Sequence, residues 1–225
     1  MKRALFISTL LVFILAACQP APVETEVPQV QETHTEEMPT QQAPVSGAVI
    51  YSLAAGESTL SYSVGETFIN QNNKFNTAIG VTGSVSGEIT LDAANPQNTS
   101  IGSIAAEIVE FESDSGRRDG IIRDRFLEST RFPTVTFVPT SITGLPESYT
   151  PGEMLTFQVT GDTTIRETTL PLTFDVTANL ENDALSGQAT TSFLMSDFGF
   201  GPISVAGILE TEDTVLMTLN FVAYP

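Results

Sequence analysis

Few side chains in this chain are of the types that perform acid–base or nucleophilic chemistry. The 225 residues include one histidine, His34, and one cysteine, Cys18. A serine nucleophile normally needs a neighbouring base, and the chain from residue 48 onward offers no histidine and a single lysine, Lys74. The C-x-x-C, H-E-x-x-H, G-x-S-x-G and P-loop patterns are absent there. We therefore predict that the protein is not an enzyme, and we expect no metal site and no cofactor.

The remaining candidates for acid–base chemistry are two pairs of carboxylates. Glu210 and Glu212 form one pair, and Glu181 and Asp183 form the other. Both pairs lie beside turn signals, where carboxylates are usually solvated. Acidic residues outnumber basic residues by 27 to 9, which gives a net charge of −18. Because nucleic-acid binding requires cations that neutralise phosphates, this balance excludes DNA and RNA as partners.

The first eighteen residues have the pattern of a bacterial export signal. Lys2 and Arg3 precede an apolar run, residues 4–17, which would span about 21 Å as a helix, short of the ~30 Å hydrocarbon core of a bilayer. The run ends in a Leu-Ala-Ala-Cys sequence that looks like a bacterial lipoprotein box, with Cys18 as its last residue. An ordinary signal with an incidental cysteine is the alternative. We predict a signal peptide over residues 1–17, lipidation of Cys18, and membrane anchoring in the cell envelope.

A segment with little apolar content follows the predicted anchor. Residues 19–47 hold five prolines, five glutamates and five glutamines, and no aromatic residue. Such a composition cannot bury enough apolar surface to offset chain entropy, so we predict a disordered tether over residues 18–47, which include the lipidated cysteine. Residues 48–225 then form one predicted domain, with 7 basic and 22 acidic residues.

The predicted domain alternates between apolar and polar residues with a period of two, which is typical of β-strands with one buried face. Two long examples are the apolar series from Ile79 to Leu91 and from Leu170 to Leu180, each taken at every second residue. About eight such strands, separated by turn signals, predict an all-β fold with an antiparallel sheet. Long strands and glycines on apolar positions, such as Gly83 and Gly187, favour a closed or strongly curved barrel over a flat sandwich.

An eight-stranded barrel can either fill with its own side chains or enclose one small ligand, and the sequence leaves both alternatives open. The candidate lumen residues share the apolar phase of their strands: Phe137, Phe157, Phe174, Phe193, Phe221, Val85 and Ile89. For each of them, plain core packing is the equal alternative. If they line a lumen, they would bind an isoprenoid or fatty-acyl chain by hydrophobic burial, at about 25 cal/mol per Å² of apolar area.

One segment, residues 113–133, departs from the strand pattern. Ile122 and Phe126 are four residues apart, which predicts a short amphipathic helix in a crossover that packs on the barrel. The candidate entrance residues are Arg118, Asp119, Ile122 and Phe126. Five of the seven basic residues of the domain lie in this segment. They form either surface ion pairs, worth about 0–1 kcal/mol each, or a cationic patch that meets an anionic headgroup.

Several short motifs follow one another between Val49 and Ala223. In chain order they are the strand Gly83-Ser84-Val85-Ser86-Gly87-Glu88-Ile89, the pair Arg118-Asp119 before an apolar helix, Phe132-Pro133 followed by Thr134-Val135-Thr136-Phe137, the turn Gly161-Asp162, and Asp197-Phe198-Gly199. This order resembles that of the YceI-like family of exported bacterial proteins. The resemblance implies a lipocalin-like antiparallel barrel that binds polyisoprenoids or other long-chain lipids. Ile121-Ile122 stands where many relatives carry a His-Leu pair.

The sequence therefore predicts a membrane-anchored, non-catalytic lipid-binding protein. It would sequester or carry an isoprenoid or another long-chain amphiphile in the cell envelope. The predicted partners are the lipid ligand and, through the lipid anchor, the membrane, and a homodimer is left open. The alternative function is a structural or interaction module with a packed core that binds another envelope protein.

Overall fold

The computed structural model describes residues 47–225. The predicted signal peptide, Cys18, His34 and all of the predicted tether except Gly47 lie outside the described residues, so the division of the chain into three parts stays a prediction. The described strands are β1 (Val49–Leu53), β2 (Thr59–Phe68), β3 (Lys74–Thr82), β4 (Val85–Ser86), β5 (Glu88–Leu91), β6 (Ser100–Ile101), β7 (Ile104–Glu107), β8 (Thr134–Thr143), β9 (Leu155–Ile165), β10 (Thr168–Glu181), β11 (Ala184–Leu194), β12 (Ser204–Val205), β13 (Leu209–Thr211) and β14 (Thr214–Tyr224). One α-helix, α1 (Gly116–Ile121), is described between β7 and β8.

The strands pair antiparallel around a circuit that returns to its starting point. β2 pairs with β3, which continues into β4, and β4 pairs with β7. From β7 the pairs run through β8, β9, β10, β11 and β14, and β14 pairs with β2. β1 extends β2, β5 extends β4, and β6 extends β7, so the circuit contains eight continuous segments. The predicted class, an antiparallel eight-stranded lipocalin-like barrel with a short helix in one crossover, is confirmed.

Alternation along the strands separates an apolar interior from a polar outer surface. On β10 the buried side chains are Phe174, Val176 and Ala178, and the exposed ones are Thr173, Asp175 and Thr177. β14 repeats the pattern with Val215, Met217, Phe221 and Ala223 buried. Because successive side chains of a strand point to opposite faces of the sheet, each of these strands contributes one apolar row to the inside of the barrel.

The apolar series predicted from Ile79 to Leu91 is wrong in its first part. Ile79 and Val81 are 52% and 40% exposed, whereas Ala78 and Thr82 are buried. The phase changes in the break between β3 and β4, where the hydroxyl of Thr82 accepts a hydrogen bond from the Ser84 N–H at 3.1 Å. One irregular step reverses the inward and outward faces of everything that follows, because the side-chain period of a strand is two.

Two glycines allow aromatic rings to cross over neighbouring strands. Gly187 on β11 is opposite Phe221 on β14, and a Cβ at Gly187 would lie 2.7 Å from the Phe221 ring and 2.1 Å from the Thr177 carbonyl oxygen. The predicted turn at Gly161-Asp162 is wrong, because both residues lie within β9 and pair with β10. A Cβ at Gly161 would lie 2.6 Å from the Phe137 ring. Any larger residue would collide with these atoms, so glycine at both positions permits the close approach that the curled sheet requires.

The crossover between β7 and β8 contains the predicted short helix. The Ser115 hydroxyl accepts a hydrogen bond from the Arg118 N–H at 3.4 Å and caps α1, which runs into a π-helical turn, Ile122–Phe126. The turns after β2 and β9 and the β12–β13 hairpin lie at the same end of the barrel, because the strands are antiparallel. We call this the α1 end and the other the far end. Within residues 47–225, the helices are too short or too polar to cross a membrane.

Candidate ligand-binding lumen

Two cavities lie in series along the inside of the barrel. The inner cavity occupies the far end and has a volume of about 130 Å³. The outer cavity lies beneath α1 and has a volume of about 400 Å³. Val135 and Met217 line both cavities and therefore form the boundary between them. The interior is thus not completely filled by its own side chains, and its long axis follows the barrel.

The candidate lumen residues are distributed between the two cavities. Six of the seven line the inner cavity: Phe137, Phe157, Phe174, Phe221, Val85 and Ile89. Phe137 and Phe174 meet edge to face, with ring centroids 4.9 Å apart. The seventh, Phe193, lines the outer cavity, and its ring centroid lies 5.1 Å from that of Phe198. The phase of each strand indicates that these side chains point inward, whereas their height along the strand decides which cavity they line.

Tyr149, which the sequence analysis did not single out, helps to close the inner cavity at the far end. Its hydroxyl accepts a hydrogen bond from the Leu180 N–H at 2.8 Å and donates one to the Leu180 carbonyl oxygen at 3.2 Å. These bonds attach the β8–β9 connection to the end of β10. Pro96 and Leu145 complete this end of the cavity.

A buried carboxylate orders the loop that contains Pro96. Asp92 is 2% exposed and accepts hydrogen bonds from the N–H groups of Ala94 and Asn95 at 3.1 and 3.0 Å and from the Asn98 side-chain amide at 3.2 Å. The hydrogen bond from Asn98 is the largest of the effects that hold the pKa of Asp92 below its ordinary value, against the opposing effect of burial. The ionised carboxylate therefore stabilises the far end of the barrel.

Three of the four candidate entrance residues line the outer cavity, namely Arg118, Ile122 and Phe126. Asp119 lines neither cavity. Its buried carboxylate accepts hydrogen bonds from the Ser113 N–H at 3.0 Å and from the Ser113 hydroxyl at 2.5 Å. Asp119 therefore holds the segment that precedes α1 through its hydrogen bonds to Ser113.

Arg118 reaches from α1 to the wall of the barrel. Its guanidinium lies 2.5 Å from the carboxylate of Glu66 on β2 and also pairs with Asp114. Glu66 is 2% exposed and accepts a further hydrogen bond from the Asn76 side-chain amide at 2.9 Å. Burial acts to lower the pKa of Arg118, but the hydrogen bonds to Glu66 and Asp114 outweigh it and raise that pKa above its ordinary value. Of the two alternatives predicted for the basic residues, ion pairs or a cationic patch, Arg118 therefore forms ion pairs.

The sequence analysis named neither of the two inward polar residues of β2 as a site residue. Tyr62 and Glu66 alternate with Leu60 and Val64 on the inward face of β2. Both line the outer cavity. A carboxylate on the apolar phase of a strand was a visible signal in the sequence. Burial, and secondarily the charge of Asp119, raise the pKa of Tyr62 to about 12, so its hydroxyl stays protonated at neutral pH.

The β12–β13 hairpin forms a second cover over the outer cavity. Ile203, Ile208 and Leu209 of this region line the cavity. β13 pairs with the end of β2, and the Ile69 N–H donates a hydrogen bond to the Ile208 carbonyl oxygen at 2.8 Å. The outer cavity thus lies between two covers of different type, the crossover helix on one side and a hairpin on the other.

Charge is distributed unequally between the two ends of the barrel. All seven basic residues of the domain lie at the α1 end: Lys74, Arg117, Arg118, Arg123, Arg125, Arg131 and Arg166. The far-end turns carry acidic residues, among them Glu147, Glu153 and Asp183. Arg117 is exposed and lines the outer cavity. Positive charge is therefore available at the outer cavity and not at the far end.

The carboxylate pairs named from the sequence do not line the cavities. Neither Glu210 and Glu212 nor Glu181 and Asp183 line the inner or the outer cavity. In residues 47–225 no three His, Cys, Asp or Glu side chains lie close enough together to hold a metal ion. What the arrangement offers chemically is an elongated, mainly apolar space whose charged groups lie at the α1 end.

Comparison with known proteins agrees with this architecture. The pattern of the YceI-like domain family matches residues 51–223. A UPF0312 protein of Pseudomonas putida is 31% identical over 137 residues, which cover 57% of this chain and 67% of that protein.

Two solved structures share the fold. Burkholderia cenocepacia BcnA superposes with a TM-score of 0.57 at 18% identity, and the match covers 76% of this chain and 98% of that one. A polyisoprenoid binding domain from Saccharophagus degradans superposes with a TM-score of 0.56 at 13% identity and covers 77% and 97% of the two chains. The family predicted from the order of the sequence motifs is confirmed: this chain belongs to the YceI-like domain family.

Proposed function

We propose that this protein binds a long-chain amphiphile of isoprenoid or fatty-acyl type inside the barrel and sequesters or carries it in the cell envelope without catalysis. The observation that carries the proposal is the pair of cavities in series, with a mainly apolar inner cavity at the far end. A chain-like ligand matches this shape, because burial of its apolar surface contributes about 25 cal/mol per Å².

The distribution of polar groups gives the ligand an orientation. The inner cavity is lined by residues such as Phe157, Val176 and Phe221, which favour the apolar chain. The outer cavity offers the Tyr62 hydroxyl and the exposed cation of Arg117. The polar end of the amphiphile would therefore lie beneath α1, and the chain would extend past Val135 and Met217 toward the far end.

The arrangement of the ionisable groups that reach the outer cavity supports a binding role rather than a catalytic one. The Glu66 carboxylate and the Arg118 guanidinium are engaged with each other, and burial raises the pKa of the Tyr62 hydroxyl to about 12. The name of the Saccharophagus degradans neighbour, a polyisoprenoid binding domain, supports binding as the role of this fold and supports an isoprenoid as the first ligand class to test.

Attachment to the membrane through Cys18 belongs to the same proposal and has its own test. Replacing Cys18 with Ser should move the protein from the membrane fraction to the soluble fraction of cells, since a serine cannot accept the thioether-linked lipid. Metabolic labelling with a radioactive fatty acid should mark the unchanged protein and not the variant. Equal membrane recovery of both proteins would overturn the anchor and leave the lumen unaffected.

The ligand is tested by native purification from the source membrane followed by solvent extraction and mass spectrometry. We expect a prenyl or fatty-acyl amphiphile in stoichiometric amount, and displacement of the fluorescent probe N-phenyl-1-naphthylamine by added lipid of that class. A preparation that contains no lipid and also fails to take up the probe would overturn the proposal. Stoichiometric cross-linking to another envelope protein, without lipid, would instead support an interaction module.

A further inference from the structure

On β9, one inward hydroxyl that faces the inner cavity has no hydrogen-bond partner within residues 47–225. Thr163 points inward from β9, is 1% exposed and lines the inner cavity near its boundary with the outer one. Its Oγ1 has no partner within residues 47–225. On the outward face of the same strand, Thr160 and Thr164 bond to threonine hydroxyls of β10 at 2.8 and 2.9 Å. Only the inward hydroxyl is left unsatisfied among these three.

The positions beside Thr163 in the sheet carry apolar side chains or glycine. Phe137 and Leu170 are opposite it on the two flanking strands, and Gly161 and Ile165 are the adjacent inward positions of β9. An ordered buried water needs about two to four polar partners, and the four positions beside Thr163 offer it no side-chain donor or acceptor. A valine would fill the same space without burying an unpaired polar group, which is destabilising.

We propose that the Thr163 hydroxyl hydrogen-bonds an oxygen atom of the ligand at the boundary between the two cavities, so that the barrel selects oxygenated chain lipids over hydrocarbons of the same shape. This inference rests on the proposed lipid-binding function and adds the position of the first oxygen. A hydroxyl group both donates and accepts, so an alcohol, carbonyl or ether oxygen satisfies it. The bonded oxygen then lies at the boundary, any further polar group of the ligand extends into the outer cavity, and the hydrocarbon chain fills the inner one.

The test compares two probes that differ in one oxygen, the prenyl alcohol farnesol and the hydrocarbon farnesene. Each displaces N-phenyl-1-naphthylamine from the delipidated protein, and the dissociation constants are measured for the unchanged chain and for Thr163→Val. We expect the substitution to weaken farnesol binding by about three- to tenfold, the loss of one hydrogen bond, and to leave farnesene binding unchanged or improved. The ligand-free variant should also unfold at a higher denaturant concentration, because it no longer buries an unpaired hydroxyl.

Two control variants make the outcome specific. Thr164→Val removes an outward hydroxyl from the same strand and should change neither probe. Thr99 carries the other inner-cavity hydroxyl without a partner in residues 47–225, at the far end, and Thr99→Val should also leave the ratio of the two dissociation constants unchanged.

The possible results separate this inference from the function on which it rests. If Thr163→Val weakens both probes equally or neither, the position of the oxygen is wrong while lipid binding stands. If Thr99→Val alone shifts the ratio, the oxygen lies at the far end and the inference is overturned. If the unchanged chain binds neither probe, the lipid-binding function and this inference both fail.

Discussion

Glu66 and Arg118 join the wall of the barrel to the helix that covers it. The carboxylate and the guanidinium lie 2.5 Å apart, and the Glu66 side chain is 3% exposed. The two residues are 52 positions apart in the chain, on β2 and α1. The crossover helix is therefore fixed over the outer cavity by a charge pair whose acidic partner is almost completely removed from water.

Removing the cation of this pair should destabilise the fold. Arg118→Met leaves the Glu66 carboxylate buried without its counter-ion, and we expect the free energy of unfolding to fall by about 2–4 kcal/mol. Denaturant titration at pH 7 measures the change. Arg131→Met is the matched control: its side chain is 68% exposed, lies 3.6 Å from Glu128 and packs over the Phe132 ring at 4.7 Å, so it should change stability by less than about 1 kcal/mol. Equal effects of the two substitutions would contradict the role given to the Glu66–Arg118 pair.

Filling the inner cavity should abolish binding of a chain-like ligand. Ala178 lies on the inward face of β10, is 5% exposed and lines the cavity. We expect Ala178→Leu to weaken binding of N-phenyl-1-naphthylamine at least about tenfold, at a stability cost of about 1–3 kcal/mol from overpacking. Thr177→Leu adds similar bulk to the outward face of the same strand and should leave binding unchanged. Retained binding by a folded Ala178→Leu variant, checked by circular dichroism, would show that the ligand lies elsewhere.

Stability should depend on acid pH through Asp92. The folded-state pKa of this carboxyl is depressed, so its contribution is fully present above the ordinary value of about 3.9 and is lost as the pH falls through the folded value. We expect Asp92→Asn to be less stable than the unchanged chain at pH 6, and the difference to shrink toward pH 2. The free energy of unfolding measured against pH tests this. Asp162→Asn, at an exposed outward site of β9, should show no such pH-dependent difference.

Stability should also fall in alkali because of Tyr62. Its pKa is raised to about 12 by burial, so its contribution is fully present below the ordinary value of about 10 and is lost as the pH rises from 10 to 12. We expect the stability of the unchanged chain to decline more steeply over this interval than that of Tyr62→Phe. Parallel unfolding titrations at pH 9.5, 10.5 and 11.5 measure the two slopes, and identical slopes would contradict the assignment.

The sequence predicted the fold class because strand formation leaves a local signature. The alternation of Phe174, Val176 and Ala178 with polar residues on β10 is visible without any partner strand. The same reasoning failed on β3, where an irregular step between Thr82 and Val85 exchanges the two faces. Nothing local in an alternating run of apolar residues and glycines indicates the position at which its phase changes.

For the candidate site, the sequence could predict which side chains of one strand point inward, but not how side chains from different strands come together. Phase indicated that Phe137, Phe157 and Phe193 point inward, but not that the first two line one cavity and the third the other. Glu66 carried a signal, a charge on an apolar phase, but its partner Arg118 lies on another element and could not be identified from spacing. The unsatisfied hydroxyl of Thr163 was likewise invisible, because whether a threonine has a partner depends on what its neighbouring strands place beside it.

By itself, then, the sequence determined the all-β class, the order of the family's motifs and the inward faces of most strands, because each of these is a property of residues close together in the chain. Only the tertiary structure decided that the interior divides at Val135 and Met217 and that a buried ion pair fixes the helix over the outer cavity. The physical reason is that cavities and charge pairs form between side chains from distant segments. Their existence depends on the register in which eight strand segments meet around the barrel, and no single segment encodes that register.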